Sequence, residues 1–142
     1  MLRRVHQHPL WLLPSVFWGW GIWRLSARPA SAYRRVGPVE AQRLPVAQIA
    51  VLAHLVAFGM LGALLVLGLP IRGRFARAAV ACAVSLGYGV IDERHQASVA
   101  GRDASVLDVA TDGCGAVVGV LSVWAIQRWN AREYIAHVCD NA

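Results

Sequence analysis

Four apolar stretches alternate with polar connections along the chain, at residues 9–24, 45–69, 75–91 and 105–127. The second stretch contains no charged side chain and exceeds the roughly 20 apolar residues that a helix needs to cross a bilayer. The first is short and is interrupted by Pro14, but tryptophans are spread through it, which is typical of anchoring at a membrane interface. The pattern predicts an all-α integral membrane bundle of about four transmembrane helices, forming one domain over residues 1–142.

The segments outside these stretches are polar. Arg3 and Arg4 precede the first stretch and small residues follow it at 27–32, so a cleaved signal peptide is an alternative to a first membrane helix. The connection 24–44 is rich in arginine and also contains proline, and it is predicted to be a surface loop. Residues 130–142 are predicted to be a short polar tail.

The composition fits a membrane protein better than a nucleic-acid-binding protein. Hydrophobic residues make up 57% of the chain, too many for an ordinary soluble domain of this size. The formal net charge is +6, but all 14 basic residues are arginines, mainly in connections between apolar stretches, so we expect no nucleic-acid partner. In a four-helix topology the arginines divide evenly between the two sides of the membrane, so the excess of positive charge on cytoplasmic loops does not fix the orientation. If Arg94 and Arg102 are left out as site residues, the side with both chain ends has more arginines and is expected to face the cytoplasm. The three cysteines have no zinc or disulfide spacing.

Ionisable residues concentrate between the third and fourth apolar stretches, within residues 92–112. Five of the eight acidic residues lie there: Asp92, Glu93, Asp103, Asp108 and Asp112. Ionisable groups at or inside a membrane boundary are costly and by default mark a functional site. This segment is therefore the predicted site.

Helix geometry brings part of this segment together with the second apolar stretch. At a rise of about 1.5 Å per residue, His54 lies roughly 13 Å and Asp112 roughly 10 Å from the same side of a four-helix bundle. The two side chains can therefore meet. Ser105, Asp108 and Asp112 share one helical face, and that face continues through a GxxxG pair towards the other helices.

A second face forms if the third helix continues past Ile91 by one or two turns. Asp92, His95 and Gln96 then lie on one face at the mouth of the bundle. Together with Arg102 in the following loop, they predict a polar pocket that opens on one membrane side.

The pocket residues suggest acid–base chemistry on an anionic substrate. Candidate catalytic residues are Asp92, Glu93, His95 and Asp108, and candidate substrate-binding residues are His54, Gln96, Arg102, Ser105 and Asp112. Glu93 with His95 or Asp108 is a better acid–base pair than Glu93 with Asp92, because adjacent helical residues point about 100° apart. Arg102 suits a phosphate.

Two other interpretations of the same residues remain open. A divalent metal could use Asp92, Asp108, Asp112 or His54, but the spacing is not diagnostic, so we assign no metal ligand and leave the cofactor open. The acids and arginines could also pair simply to fix helix packing. For Arg94 and Asp103 we favour solvent-facing loop charges.

The spacing within residues 91–119 resembles the signature of VanZ-like membrane proteins. The matching residues are Asp92-Glu93-Arg94-His95-Gln96, Gly101-Arg102, Ser105, Asp108-Val109, Gly115 and Gly119. His54, followed by Phe58 and Leu61-Gly62, is similar to the family's second span. Two positions depart from the pattern: Asp112 stands where the family usually has asparagine, and Ala50-Val51 where many members have Asp-Lys.

The resemblance implies a multi-pass protein of the bacterial inner (cytoplasmic) membrane that acts near the cell envelope. The family takes its name from a protein linked to low-level resistance to teicoplanin, which does not establish a reaction or make this chain a resistance protein. Our first hypothesis is binding, with or without modification, of a lipid-linked or phosphate-bearing molecule such as a cell-wall precursor. Glu93 or Asp92 would be the acid–base group, Arg102 would hold the anion, and membrane lipids would be partners.

The alternative hypothesis is a non-enzymatic scaffold or small permeation element. Gly115 and Gly119 would then favour close helix packing, including in a homo-oligomer. The sequence leaves open whether the protein is an enzyme.

Overall fold

The computed structural model describes residues 8–33 and 46–140, and all regular structure in these two ranges is helical. A 3-10 helix, Pro9–Trp11, leads into five α-helices: α1 Leu12–Ser26, α2 Ala30–Tyr33, α3 Val46–Gly68, α4 Arg74–Gln96 and α5 Val106–Asp140. The predicted all-α bundle is confirmed. Of the predicted loop 24–44, residues 34–44 lie outside the described residues, and the described part contains the end of α1 and the short helix α2.

Within the described ranges, three helices are long and apolar enough to cross a membrane. They are Gln48–Gly68 with 21 residues, Arg74–Gln96 with 23 and Val106–His137 with 32. Helix α1 has 15 residues, a length of about 22 Å at 1.5 Å per residue, shorter than the roughly 30 Å of a hydrocarbon core. Large apolar side chains such as Phe17, Val56 and Leu121 are exposed, as expected for a surface in contact with lipid. The chain is a membrane protein.

Two helices extend further than their apolar stretches. Helix α4 continues past Ile91 to Gln96, which is the condition for a polar face at the bundle mouth. Helix α5 continues to Asp140, so the described part of the predicted polar tail, residues 130–140, is helical. Good helix formers populate this segment, and the Trp129 indole donates to Glu133 Oε1 one turn later at 2.7 Å.

Glycines let α3 and α5 pack with their backbones in contact. A Cβ added at Gly62 would lie 2.9 Å from Ala116 Cα, and one at Gly115 would lie 3.1 Å from Leu55 Cα. A Cβ at Gly119 would overlap the backbone of Gly59. The GxxxG pair is thus used within the chain, and the predicted homo-oligomer stays a prediction without support from these glycines.

Helix α1 packs across α3 and α4. The Tyr88 hydroxyl donates to the Gly19 carbonyl at 2.7 Å, and the Trp18 indole donates to the Ala57 carbonyl at 2.8 Å. The amide of His8 donates to the Leu67 carbonyl at 3.1 Å, which places the start of α1 beside the end of α3. The end of α1 therefore lies beside the end of α4, where the polar segment begins.

Candidate functional site

The polar segment lies where α4 ends and α5 begins. Beyond Gln96 the chain makes a compact turn in which the Val99 amide donates to the Gln96 carbonyl at 2.8 Å and the Arg102 amide to the Val99 carbonyl at 3.1 Å. Gly101 has φ of 78°, a left-handed conformation that favours glycine. The turn brings Ser105 back onto the last turn of α4.

Ser105 connects the two helices. Its amide donates to Glu93 Oε2 at 2.7 Å, and its hydroxyl accepts from the Asp108 amide at 3.2 Å. The second contact is an N-cap of α5, which satisfies an amide that has no partner within the helix. Ser105, predicted to bind substrate, therefore holds Glu93 in place and begins α5.

His54 and Asp112 meet inside the bundle, as their equal depth predicts. His54 Nδ1 lies 2.8 Å from Asp112 Oδ1, and the exposed fractions of the side chains are 12% and 0%. Gly89 of α4 makes room for the pair, because a Cβ there would lie 2.6 Å from Asp112 Oδ2. The carboxylate thereby fixes the orientation of the imidazole.

Glu93 and Asp108 complete an inner cluster with His54. One side-chain ligand atom from each of these three residues lies within 4.8 Å of the other two. Glu93 is only 3% exposed, and its Oε1 has no hydrogen-bond partner among the described residues. A buried carboxylate oxygen without a partner is costly, so this atom is available to a proton, an ion or a ligand.

A separate chain of hydrogen bonds lies at the mouth of the bundle. Asp92 Oδ2 accepts from the Ser26 hydroxyl at 2.7 Å and from Gln96 Nε2 at 2.9 Å. Gln96 Oε1 in turn accepts from Arg102 Nε at 2.9 Å. We call these four residues the mouth network. It holds the guanidinium of Arg102 at the end of α4.

A sequence model of the VanZ/LLP1 family matches residues 9–127, most of the chain. The chain belongs to this family. The matched range includes the whole inner cluster and the whole mouth network, and it ends before the last turns of α5. None of the curated proteins and none of the solved structures is significantly similar to the chain.

Not every predicted site residue of this VanZ/LLP1 protein joins the inner cluster. The His95 ring stacks on Trp23 of α1, with centroids 3.9 Å apart and 14° between the planes. Residues two apart on a helix point about 200° apart, so His95 faces α1 while Glu93 faces α3 and α5. Of the two partners considered for Glu93, the structure brings Asp108 close to it and not His95. Arg94 and Asp103 are exposed.

The mouth network includes one residue that sequence reasoning missed. Ser26 is 6% exposed and is bonded to Asp92, yet it lies just beyond the first apolar stretch, in the connection predicted to be a surface loop and far from the polar segment in sequence. One signal was available: a four-helix topology puts the ends of the first and third helices on the same side. A small polar residue at the end of the first helix is then a candidate for the mouth.

Proposed function

We propose that this VanZ/LLP1 protein binds a lipid-linked, phosphate-bearing molecule of the bacterial cell envelope where α4 ends and α5 begins, and modifies it there. The observation that carries the proposal is the inner cluster, in which the buried carboxylate of Glu93 lies beside His54 and Asp108 and has one oxygen, Oε1, without a partner among the described residues. A multi-pass arrangement in the bacterial inner membrane is part of the proposal.

The position of the site suits a lipid headgroup. The mouth network lies at the ends of helices long enough to span a membrane, and Glu93 and Asp108 lie within about one turn of those ends, so a headgroup can reach them while its chain stays in hydrocarbon. Arg102 is half-buried and oriented by Gln96. A guanidinium in a fixed orientation is suited to the planar, two-point recognition of phosphate.

The inner cluster supplies the groups for the modification. The imidazole of His54 is oriented by Asp112, and Glu93 presents a free oxygen next to it. Such a set can move a proton to or from a bound headgroup, the role proposed for Glu93. It can equally place Glu93 as a ligand for an ion that contacts the headgroup. Asp92, with two donors on one oxygen, serves to position Arg102.

Arg102→Gln is expected to weaken binding of a polyprenyl phosphate by about 10-fold or more, the effect of losing a charged hydrogen bond. The measurement is native mass spectrometry of the detergent-purified protein, titrated with the polyprenyl phosphate and with the polyprenol of the same chain length. The wild type is expected to favour the phosphate, and Arg102→Gln to lose that preference.

Arg94→Gln is the matched control, because Arg94 is a neighbouring but exposed arginine. It removes the same charge and should leave the preference unchanged. Equal binding of the two lipids by the wild type, or an unaltered preference in Arg102→Gln, would argue against a phosphate at this site.

A further inference from the structure

The inner cluster has the composition of a metal site. It contains one imidazole and two carboxylates, contributed by three different helices, with ligand atoms within 4.8 Å of one another. Imidazole and carboxylate together suit first-row divalent cations, whereas Mg²⁺ and Ca²⁺ prefer oxygen ligands alone. His54 and Asp108 are half-buried and Glu93 is buried, so this is not a group of acids on an exposed surface.

A second, independent observation is the orphaned atom of Glu93. The side chain is 97% buried, and its Oε2 is held by the Ser105 amide while Oε1 has no partner among the residues described. Burying a carboxylate oxygen without a compensating donor or cation is unfavourable. A cation beside His54 and Asp108 would provide that compensation.

The surroundings of His54 also fit a metal ligand. Its Nδ1 is bonded to Asp112 Oδ1 at 2.8 Å, which leaves Nε2 as the ring nitrogen for another partner. A carboxylate bonded to the second ring nitrogen is the usual way in which proteins orient a ligating histidine. Asp112 would therefore orient the ligand without touching the metal, a different role from the substrate contact predicted from sequence.

Charge supplies a third argument. A phosphate brought to this site meets the carboxyl groups of Glu93, Asp108 and Asp112, with Asp92 nearby, and like charges at such distances repel strongly when partly buried. The guanidinium of Arg102, held by Gln96, supplies a single positive charge against these carboxyl groups. A divalent cation between the carboxylates and the phosphate would make the site attractive to an anion.

We propose that His54, Glu93 and Asp108 bind one first-row divalent cation such as Zn²⁺ or Mn²⁺, and that this cation faces the phosphate of the bound lipid. The cation site stands on the cluster itself; only the statement about the phosphate rests on the proposed function. Bonds of about 2.1 Å in tetrahedral geometry bring ligand atoms to about 3.4 Å from one another. Side-chain rotation of Glu93 and Asp108 can provide the required approach.

The test is isothermal titration of ZnCl₂ into untagged, detergent-purified protein that has been stripped with EDTA. The wild type is expected to bind one Zn²⁺ per chain. Glu93→Gln and Asp108→Asn should each lower the affinity by about 100-fold or more, and Asp112→Asn by about 10- to 100-fold, the usual effect of losing the group that orients a ligand. Mn²⁺ bound to the wild type should give an altered paramagnetic resonance spectrum that Glu93→Gln abolishes.

Matched controls are Glu133→Gln and Asp103→Asn, the same substitutions at exposed positions, which should bind Zn²⁺ like the wild type. Cys114 and Cys139 are exposed, so the titration is repeated with both replaced by serine. A wild type without a Zn²⁺ site, or affinity retained in both Glu93→Gln and Asp108→Asn, would overturn the proposal. If a variant fails to fold, the melting temperature of the wild type is measured with and without Zn²⁺. The proposal predicts that Zn²⁺ raises it, and an unchanged melting temperature counts against the site.

The metal and lipid proposals can fail separately. Zn²⁺ binding that depends on Glu93, together with equal binding of polyprenyl phosphate and polyprenol, would leave the cation site standing and remove the phosphate. A preference for the polyprenyl phosphate in protein that binds no cation would leave the phosphate site standing and remove the cation site.

Discussion

Gly119→Ala is expected to separate α3 from α5 and to destabilise the bundle by about 3 kcal/mol, the upper end of the usual cost of overpacking. The added Cβ overlaps the backbone of Gly59, and backbone atoms cannot move aside as the end of a flexible side chain can. The two helices must shift along their whole contact. Because His54 and Asp112 lie on the same pair of helices, their contact would be lost as well.

The measurement is the midpoint of unfolding in detergent mixtures of increasing SDS content, with Gly87→Ala as the control. Gly87 is also a helical glycine, but a Cβ there has nothing within 4 Å. Alanine there should leave stability unchanged or raise it slightly, by about 0.5–1 kcal/mol, since alanine is the better helix former. If Gly119→Ala unfolded with the same midpoint as Gly87→Ala, the close contact between α3 and α5 would be wrong.

His54→Leu is expected to cost about 3 kcal/mol of stability, because it leaves the Asp112 carboxylate without its hydrogen-bond partner. Asp112 is 0% exposed, and its other oxygen already lacks a partner among the described side chains. Removing one member of a buried pair is much more harmful than removing both, since the remaining charge is uncompensated. The same unfolding assay measures the loss.

The double variant His54→Leu, Asp112→Ala separates packing from function. It removes both polar groups, and alanine fits the small space against Gly89. We expect it to be more stable than His54→Leu by about 2 kcal/mol, because it no longer buries a polar group without a partner. It should nevertheless lack lipid-modifying activity. A single variant as stable as the wild type would show that Asp112 does not depend on His54.

The sequence alone predicted the contact between His54 and Asp112, because rise per residue fixes depth and both helices enter from the same side. It also predicted the shared face of Asp108 and Asp112. The extension of α4 to Gln96 could be stated only as a condition, since the apolar pattern stops at Ile91 while the helix continues through polar residues.

The sequence did not predict which neighbouring helix each side chain at the end of α4 contacts, because one helix can pack against several others. The predicted face with Asp92 and His95 contacts Ser26 and Trp23 of α1. The predicted alternative pairing of Glu93 with His95 is not formed, because His95 faces α1. The candidate metal ligands taken from sequence included Asp92 and Asp112. In the structure the residue that joins His54 and Asp108 is Glu93, because Asp92 is bonded to Ser26 and Asp112 to Nδ1 of His54.

Gly115 and Gly119 illustrate the same limit. A GxxxG pair indicates close helix contact but does not say whether the partner helix belongs to the same chain. Here the partner is α3, through Gly59 and Gly62, and this pairing is what holds His54 next to Asp112.

The most direct test of the central claim, that the inner cluster acts on an envelope lipid, is comparative mass spectrometry of envelope lipids and cell-wall precursors. Cells would carry a deletion, the wild-type gene, Glu93→Gln or Glu133→Gln at matched protein levels. We predict a lipid species that changes in the deletion, is restored by the wild type and by Glu133→Gln, and stays changed with Glu93→Gln. Identical profiles in all four strains would contradict the claim and favour a non-enzymatic scaffold or permeation element.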